Sequence, residues 1–133
     1  MNEDQKHVAV ECLAGAESDG MAFPQIVGRL IEAGFESYCV DLRRARAIYF
    51  LPDGDSVELE AHRVETPVAP ALDAAAMQAA IREAQAQVPG YTYRGFCEKA
   101  AAAGCAFYVV SFSGRRAVYF GRDAVAHVEN FPD

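Results

Sequence analysis

The chain has 133 residues, 52% of them hydrophobic and 23% charged, with a formal net charge of −7. Such a composition fits a globular domain with a core of its own, and the acidic balance argues against broad nonspecific nucleic-acid binding. No apolar run approaches the roughly 18–20 residues that span a bilayer, so no membrane role is expected.

The acidic start MNEDQKHVAVECLAGAESDG lacks the basic opening and apolar centre of a signal peptide, and the expected location is cytoplasmic. Residues 3–16 read as a first helix, with Val8, Cys12 and Leu13 on one side and acids near the start. Ser18-Asp19-Gly20 breaks it. A second helix begins at Pro24, carries Ile26, Val27, Leu30 and Ile31 as its core stripe, and ends at a left-handed cap on Gly34. Residues 35–42 form a strand with apolar side chains on both faces, a pattern that predicts a central strand covered twice. The segment 45–51 returns as its antiparallel partner. After the turn Pro52-Asp53-Gly54-Asp55, residues 56–62 alternate, with Val57, Leu59 and Ala61 inward and Glu58, Glu60 and His62 outward.

Residues 64–70 form an extended, proline-containing linker. Asp73 caps a third helix running to about Gln87, broken by Pro89-Gly90. A fourth spans about Tyr93–Ala103 and closes at Gly104. Strands follow at 105–112 and 116–121, joined by Ser113-Gly114, a turn expected to need positive φ there. A last strand covers 124–129.

The two halves are written alike. A shift of 70 aligns residues 33–53 with 103–123 without a gap. Identities fall at Ala33/Ala103, Gly34/Gly104, Tyr38/Tyr108, Val40/Val110, Arg46/Arg116, Ala47/Ala117, Tyr49/Tyr119, Phe50/Phe120 and Asp53/Asp123. This predicts an α+β fold built by internal duplication of an α-α-β-β-β unit, residues 1–63 and 71–133, within one domain and with pseudo-twofold symmetry. About six strands would form an antiparallel or mixed sheet with helices packed against it, or two three-stranded sheets packed face to face.

Phe23-Pro24, Ala33-Gly34, Tyr38-Cys39-Val40-Asp41, Ile48-Tyr49-Phe50 and Asp53-Gly54 carry a resemblance to a family. In the second half the matching residues are Phe96-Cys97, Ala102-Ala103-Gly104 and Val118-Tyr119-Phe120. The chain resembles a small bacterial family of unknown function whose members are sometimes labelled phage-envelope-like proteins. The resemblance implies no established activity and no catalytic residues. The second half departs from the pattern at Tyr108-Val109-Val110-Ser111, where Ser111 stands in place of the acid.

Four groups of residues offer chemistry. Arginines cluster at the two hairpins, and Arg46 and Arg116, each within a strand beside a tyrosine, could clamp a small anionic ligand. Their structural alternative is pairing with Asp41 or Asp53. Tyr38, Tyr108, Tyr49 and Tyr119 could line a cleft between the halves, or pack in the core with hydroxyls at its rim. Glu58, Glu60 and His62 share one strand face in the expected pairing and form a weak metal candidate; His127 and Glu129 repeat the flavour near the C-terminus. Cys12, Cys39, Cys97 and Cys105 form no C-x-x-C pair and read as reduced, buried thiols, with a catalytic or redox cysteine as the alternative. No phosphate loop, dinucleotide fingerprint or nucleophile elbow is present, so no cofactor and no catalytic residue is implied.

The first expectation is a non-catalytic binding or interaction module, using the cleft between halves or a homodimer face and taking a small ligand or a protein partner. The competing class is an enzyme or binder for a small anion, with Arg46 and Arg116 as clamps and His62 or Asp41 as acid–base. A third is a phage-associated structural protein.

Overall fold

A computed structural model describes residues 1–132. The first helix, α1 (Glu3–Glu17), starts in a reciprocal cap. The Asn2 side chain accepts from the Gln5 backbone N–H at 2.8 Å, and the Gln5 side chain accepts from the Asn2 backbone N–H at 3.1 Å. Glu3 and Asp4 add negative charge where the helix dipole favours it. Helix α2 (Phe23–Ala33) has Pro24 in its first turn and ends on Gly34 at φ 100°, as the sequence predicts. Helix α3 (Ala74–Ala86) is capped by the Asp73 side chain. Helix α4 (Tyr93–Ala102) is capped by Thr92, whose hydroxyl accepts from the Gly95 N–H at 2.9 Å.

Six strands, β1 (Ser37–Asp41), β2 (Arg46–Phe50), β3 (Ser56–Glu60), β4 (Cys105–Ser111), β5 (Arg116–Gly121) and β6 (Ala126–Asn130), form one sheet in the order β3-β2-β1-β4-β5-β6. Every neighbouring pair is antiparallel. The strands do not divide into two packed sheets: β1 and β4 pair along their length, with Tyr38 opposite Val110, Cys39 opposite Val109 and Val40 opposite Tyr108.

The four helices cover one face of this sheet. α1 packs on α2 and α3 on α4, and α1 also touches α4. The core joins Cys12, Leu30, Met77, Ile81, Phe96 and Ala100 from the helices to Tyr38, Val40, Ala47, Tyr49, Tyr108, Val110 and Tyr119 from the strands. The expectation that β1 is covered on both faces fails. Its Tyr38 and Val40 are buried, whereas Ser37, Cys39 and Asp41 keep intermediate exposure on the side away from the helices. That open side is nonetheless apolar at its centre, carrying Ile48, Phe50, Phe107, Val109, Val118 and Phe120. Phe107 and Phe120 stack there at 4.7 Å between ring centroids.

The linker is tied down. Glu98 accepts from the Glu65 and Thr66 backbone N–H groups and from the Thr66 hydroxyl. Ala69 N–H donates to the Ala101 carbonyl, and Asp73 N–H to the Ala103 carbonyl. Where the chain comes back over α4, only glycine fits: a Cβ on Gly104, at φ 92°, would stand 2.1 Å from the Ala71 carbonyl oxygen.

The hairpin turns differ from expectation. Positive φ falls on Arg115 (53°) rather than on Gly114, and on Ala45 (55°) in the other hairpin. Each turn is held by the last side chain of the strand before it. The Asp41 carboxylate accepts from the Arg43 and Arg44 N–H groups, both at 3.0 Å, and the Ser111 hydroxyl accepts from the Gly114 N–H at 2.9 Å. Asp41 and Ser111 thus do the same local work with different acceptors, which accounts physically for a divergence that the sequence alone left open.

Candidate functional site

A cavity of about 500 Å³ lies between the helices and the sheet. It is within the roughly 300–1,000 Å³ typical of small-molecule sites. α1 contributes Cys12, Leu13 and Ala16, α2 Phe23 and Ile26, α3 Ile81, Ala84 and Gln85, and α4 Tyr93 and Phe96. The floor is the helix-covered side of the sheet, from Tyr38, Val40 and Tyr49 to Tyr108, Val110, Ala117, Tyr119 and Glu129.

The floor follows from strand alternation and register. One row across the sheet reads Val57, Tyr49, Tyr38, Val110, Ala117, Glu129. The next reads Leu59, Ala47, Val40, Tyr108, Tyr119, His127. In each row a tyrosine pair from one half lies beside a Val/Ala pair from the other, the rings stacked for Tyr38 and Tyr49 and tilted for Tyr108 and Tyr119. The ring centroids are 5.3 Å apart for Tyr38 and Tyr49, and 5.2 Å for Tyr108 and Tyr119. Large beside small leaves room above Val40, Val110 and Ala117, which line the cavity.

The tyrosine hydroxyls fall into two kinds. Tyr93 and Tyr108 share a hydrogen bond, Oη to Oη, of 2.6 Å. Tyr38, Tyr49 and Tyr119 are only 7%, 3% and 8% exposed, yet among the described residues none of their hydroxyls has a protein partner. Among the described residues no buried side-chain polar atom is wholly sealed without one. The three hydroxyls therefore open on the cavity. A hydroxyl taken from water without a partner costs about 1–3 kcal/mol, which a ligand acceptor placed there would recover. Burial raises the pKa of all five of these phenols, and pushes Tyr91 at the rim up to about 12. Near neutral pH each is an un-ionised donor.

Among the described residues the cavity lining contains two charged side chains, those of Asp19 and Glu129, and neither lysine nor arginine. Asp19 Oδ1 accepts from the Tyr93 backbone N–H at 2.9 Å. Glu129 accepts from Gln85 Nε2 at 3.0 Å, and its other oxygen lies 3.9 Å from His127 Nε2. The same His127 nitrogen meets Gln78 Oε1 at 2.6 Å.

The sequence-predicted residues separate into two groups. Tyr49 and Tyr119 line the cavity, as do Tyr38 and Tyr108. Arg46 and Arg116 do not join them. Arg46 and Tyr49, like Arg116 and Tyr119, are three positions apart, an odd offset that sends the side chains to opposite faces of a strand. Arg46 Nε instead lies 3.6 Å from Glu58 on the open face, and Arg116 Nε donates to the Gly114 carbonyl at 3.4 Å. Neither pairs with Asp41 or Asp53, and Asp41 is occupied in its turn. Glu58, Glu60 and His62 are not assembled either. The strand ends at Glu60, and His62 turns to Glu98, 3.7 Å away, while its backbone N–H donates to Glu17. His127 and Glu129 face the helices, with the parity opposite to that of Glu58 and Glu60. Among the described residues no group of three potential metal ligands is found.

The cysteines are free, with Cys12, Cys97 and Cys105 buried and Cys39 half-buried. Burial pushes the thiols of Cys97 and Cys105 up to about 12 and raises those of Cys12 and Cys39, which works against a reactive thiolate.

A sheet roofed by helices over an apolar, hydroxyl-bearing cavity defines an α+β protein with a small-molecule-sized compartment. A family model described as a protein of unknown function (DUF1398) matches residues 12–130, and the chain belongs to that family. The description supplies no role and does not support the phage-envelope-like label. No curated protein matches the chain. No helix among the described residues is long and apolar enough to cross a membrane.

Proposed function

We propose that the protein is a binding module that takes a small, largely apolar molecule into the cavity between its helices and its sheet. The observation that carries this reading is the set of three buried hydroxyls, Tyr38, Tyr49 and Tyr119, turned into an apolar cavity with no protein partner among the described residues. Aromatic faces supply contact area and the hydroxyls supply donors at fixed points. The anion-binding alternative loses its support, since Arg46 and Arg116 lie on the other side of the sheet from the cavity.

The compartment also fits an origin by duplication. The strand order reads the same from either edge, and Cys39 faces Val109, which is its own equivalent under the shift of 70. On this reading the cavity lies near the pseudo-twofold axis, and each half supplies one tyrosine pair.

Titration with the neutral dye Nile red tests the binding reading. Wild-type protein is expected to bind one dye per chain with blue-shifted emission. Ala84→Phe, which fills the cavity from α3, is expected to weaken binding at least about tenfold while the protein stays folded. Equal binding by both proteins would show that the dye sits elsewhere and would overturn the reading.

A second reading concerns the open sheet face, and the same protein accommodates both. Its apolar centre and its charge distribution favour a homodimer. Among the described residues, Asp41, Glu58 and Glu60 lie on the first half of this face around a single cation, Arg46, which leaves that half net acidic. The second half carries Arg116, with Val128 and Asn130 where the first half has Glu58 and Glu60. A twofold stack of one face on another, first half over second, sets the acids of each copy against Arg116 of the other.

A further inference from the structure

We infer that the ligand class is organic cations: a positively charged nitrogen on an aromatic or aliphatic body, with Glu129 as the counter-charge. This rests on the binding reading above and adds the sign of the charge that the cavity selects.

Three observations converge. First, the lining holds acids and no bases, so an anion entering it would lose its hydration without meeting a cation, and the chain as a whole is acidic. Second, Glu129 sits on the cavity floor beside Ala117, and it shares the lining with Tyr119 of the adjacent strand and with Tyr91 and Phe131. A carboxylate in a cavity lined by aromatic side chains suits an ammonium group, because aromatic rings attract cations and the acid supplies the full charge. Third, the acid is particular to one half. Seventy residues earlier the same inward positions are Val57 and Leu59, where the second half has His127 and Glu129.

The surroundings hold Glu129 in place while leaving it capacity. Its side chain is 23% exposed. Gln85 donates to one oxygen, and His127 stands 3.9 Å from the other while engaged with Gln78 at 2.6 Å. A carboxylate accepts about four hydrogen bonds, so positions remain for a ligand.

The test uses a shape-matched pair of probes, benzyltrimethylammonium and its neutral carbon isostere neopentylbenzene, titrated calorimetrically into wild-type protein and Glu129→Gln. The glutamine keeps the size and the acceptor for Gln85. Wild-type protein is expected to bind the cation at least about tenfold more tightly than the isostere. Glu129→Gln is expected to remove most of that preference while leaving the isostere within about twofold. If the two probes bind wild-type protein equally, or if Glu129→Gln leaves the preference intact, the inference is overturned and the cavity reading stands. If neither probe binds and Nile red does not bind either, the cavity reading falls, and this inference with it.

Discussion

Glu129 stands beside Ala117 on the helix-covered face of the sheet at the position that Leu59 holds beside Ala47, seventy residues earlier. Two stretches of chain with the same strand pattern thus put an apolar side chain on one flank of the helix-covered face and a carboxylate on the other, and of the two only Glu129 lines the cavity.

The hydrogen bond between Tyr93 and Tyr108 links α4 to the floor of the cavity. Removing either hydroxyl leaves the other without its partner. Tyr93→Phe and Tyr108→Phe are each expected to cost about 1 kcal/mol in urea unfolding, and the double variant less than the sum. Strict additivity of the two losses would show that the bond contributes nothing to stability.

Buried phenols and thiols predict the behaviour at high pH. In the folded state the pKa values of Cys97 and Cys105 are pushed up to about 12 from a usual value near 9.0, and those of Tyr38, Tyr93 and Tyr108 lie well above 10.0. Above about pH 9 the unfolded chain releases protons that the folded chain retains, so stability is fully present below that pH and falls as pH rises. Chemical denaturation at pH 7, 9 and 10.5 should show a stability that falls above pH 9. A flat profile would mean that these groups are hydrated in the folded protein.

The two hairpin turns predict a tolerant exchange. Asp41→Ala removes an acceptor for two backbone N–H groups and is expected to cost about 1 kcal/mol, whereas Asp41→Ser, the residue found at position 111, should recover part of that loss. Ala45→Gly should stabilise by up to about 1 kcal/mol, because alanine holds a φ of 55° there. None of the three substitutions should alter Nile red binding by more than about twofold, since the turn is remote from the cavity. A large loss of binding in Asp41→Ser would restore Asp41 as a site residue.

Much of this fold is legible in the sequence because its signals are local. Asn2, Asp73 and Thr92 can cap because their acceptors lie within three residues of the N–H groups they serve, and Gly34 ends its helix where a left-handed residue is needed. Alternation finds Tyr38, Tyr49, Tyr108 and Tyr119. The same alternation, applied from Arg46 to Tyr49, forbids an arginine and a tyrosine from sharing one site; choosing residues by identity across the repeat, without their parity, groups them wrongly. Glu129 was also within reach, since the shift that aligns the tyrosines sets Glu129 on Leu59 and His127 on Val57. Tyr91 and Tyr93 are different. They come to the cavity from the end of one helical pair, and only the packing of α4 over the sheet brings Tyr93 to Tyr108. The open sheet face was misread because a strand with apolar residues on both sides reads the same whether its second side is covered by helices or left open.

For the second copy, sedimentation velocity gives a direct reading. Wild-type protein is expected to sediment as a dimer. Val109→Lys, at the centre of the open face, should sediment as a monomer with Nile red binding preserved. A wild-type monomer at high micromolar concentration would remove the dimer reading and leave the cavity untouched.

The position of a bound probe tests the central claim most directly. In isotope-filtered NMR of Nile red with labelled protein, contacts are expected from the dye to the rings of Tyr38, Tyr49 and Tyr119 and to the Ala117 methyl. Contacts to Ile48, Val109 and Val118, with none to the tyrosine rings, would put the dye on the open face of the sheet and contradict the claim that the cavity is the binding site.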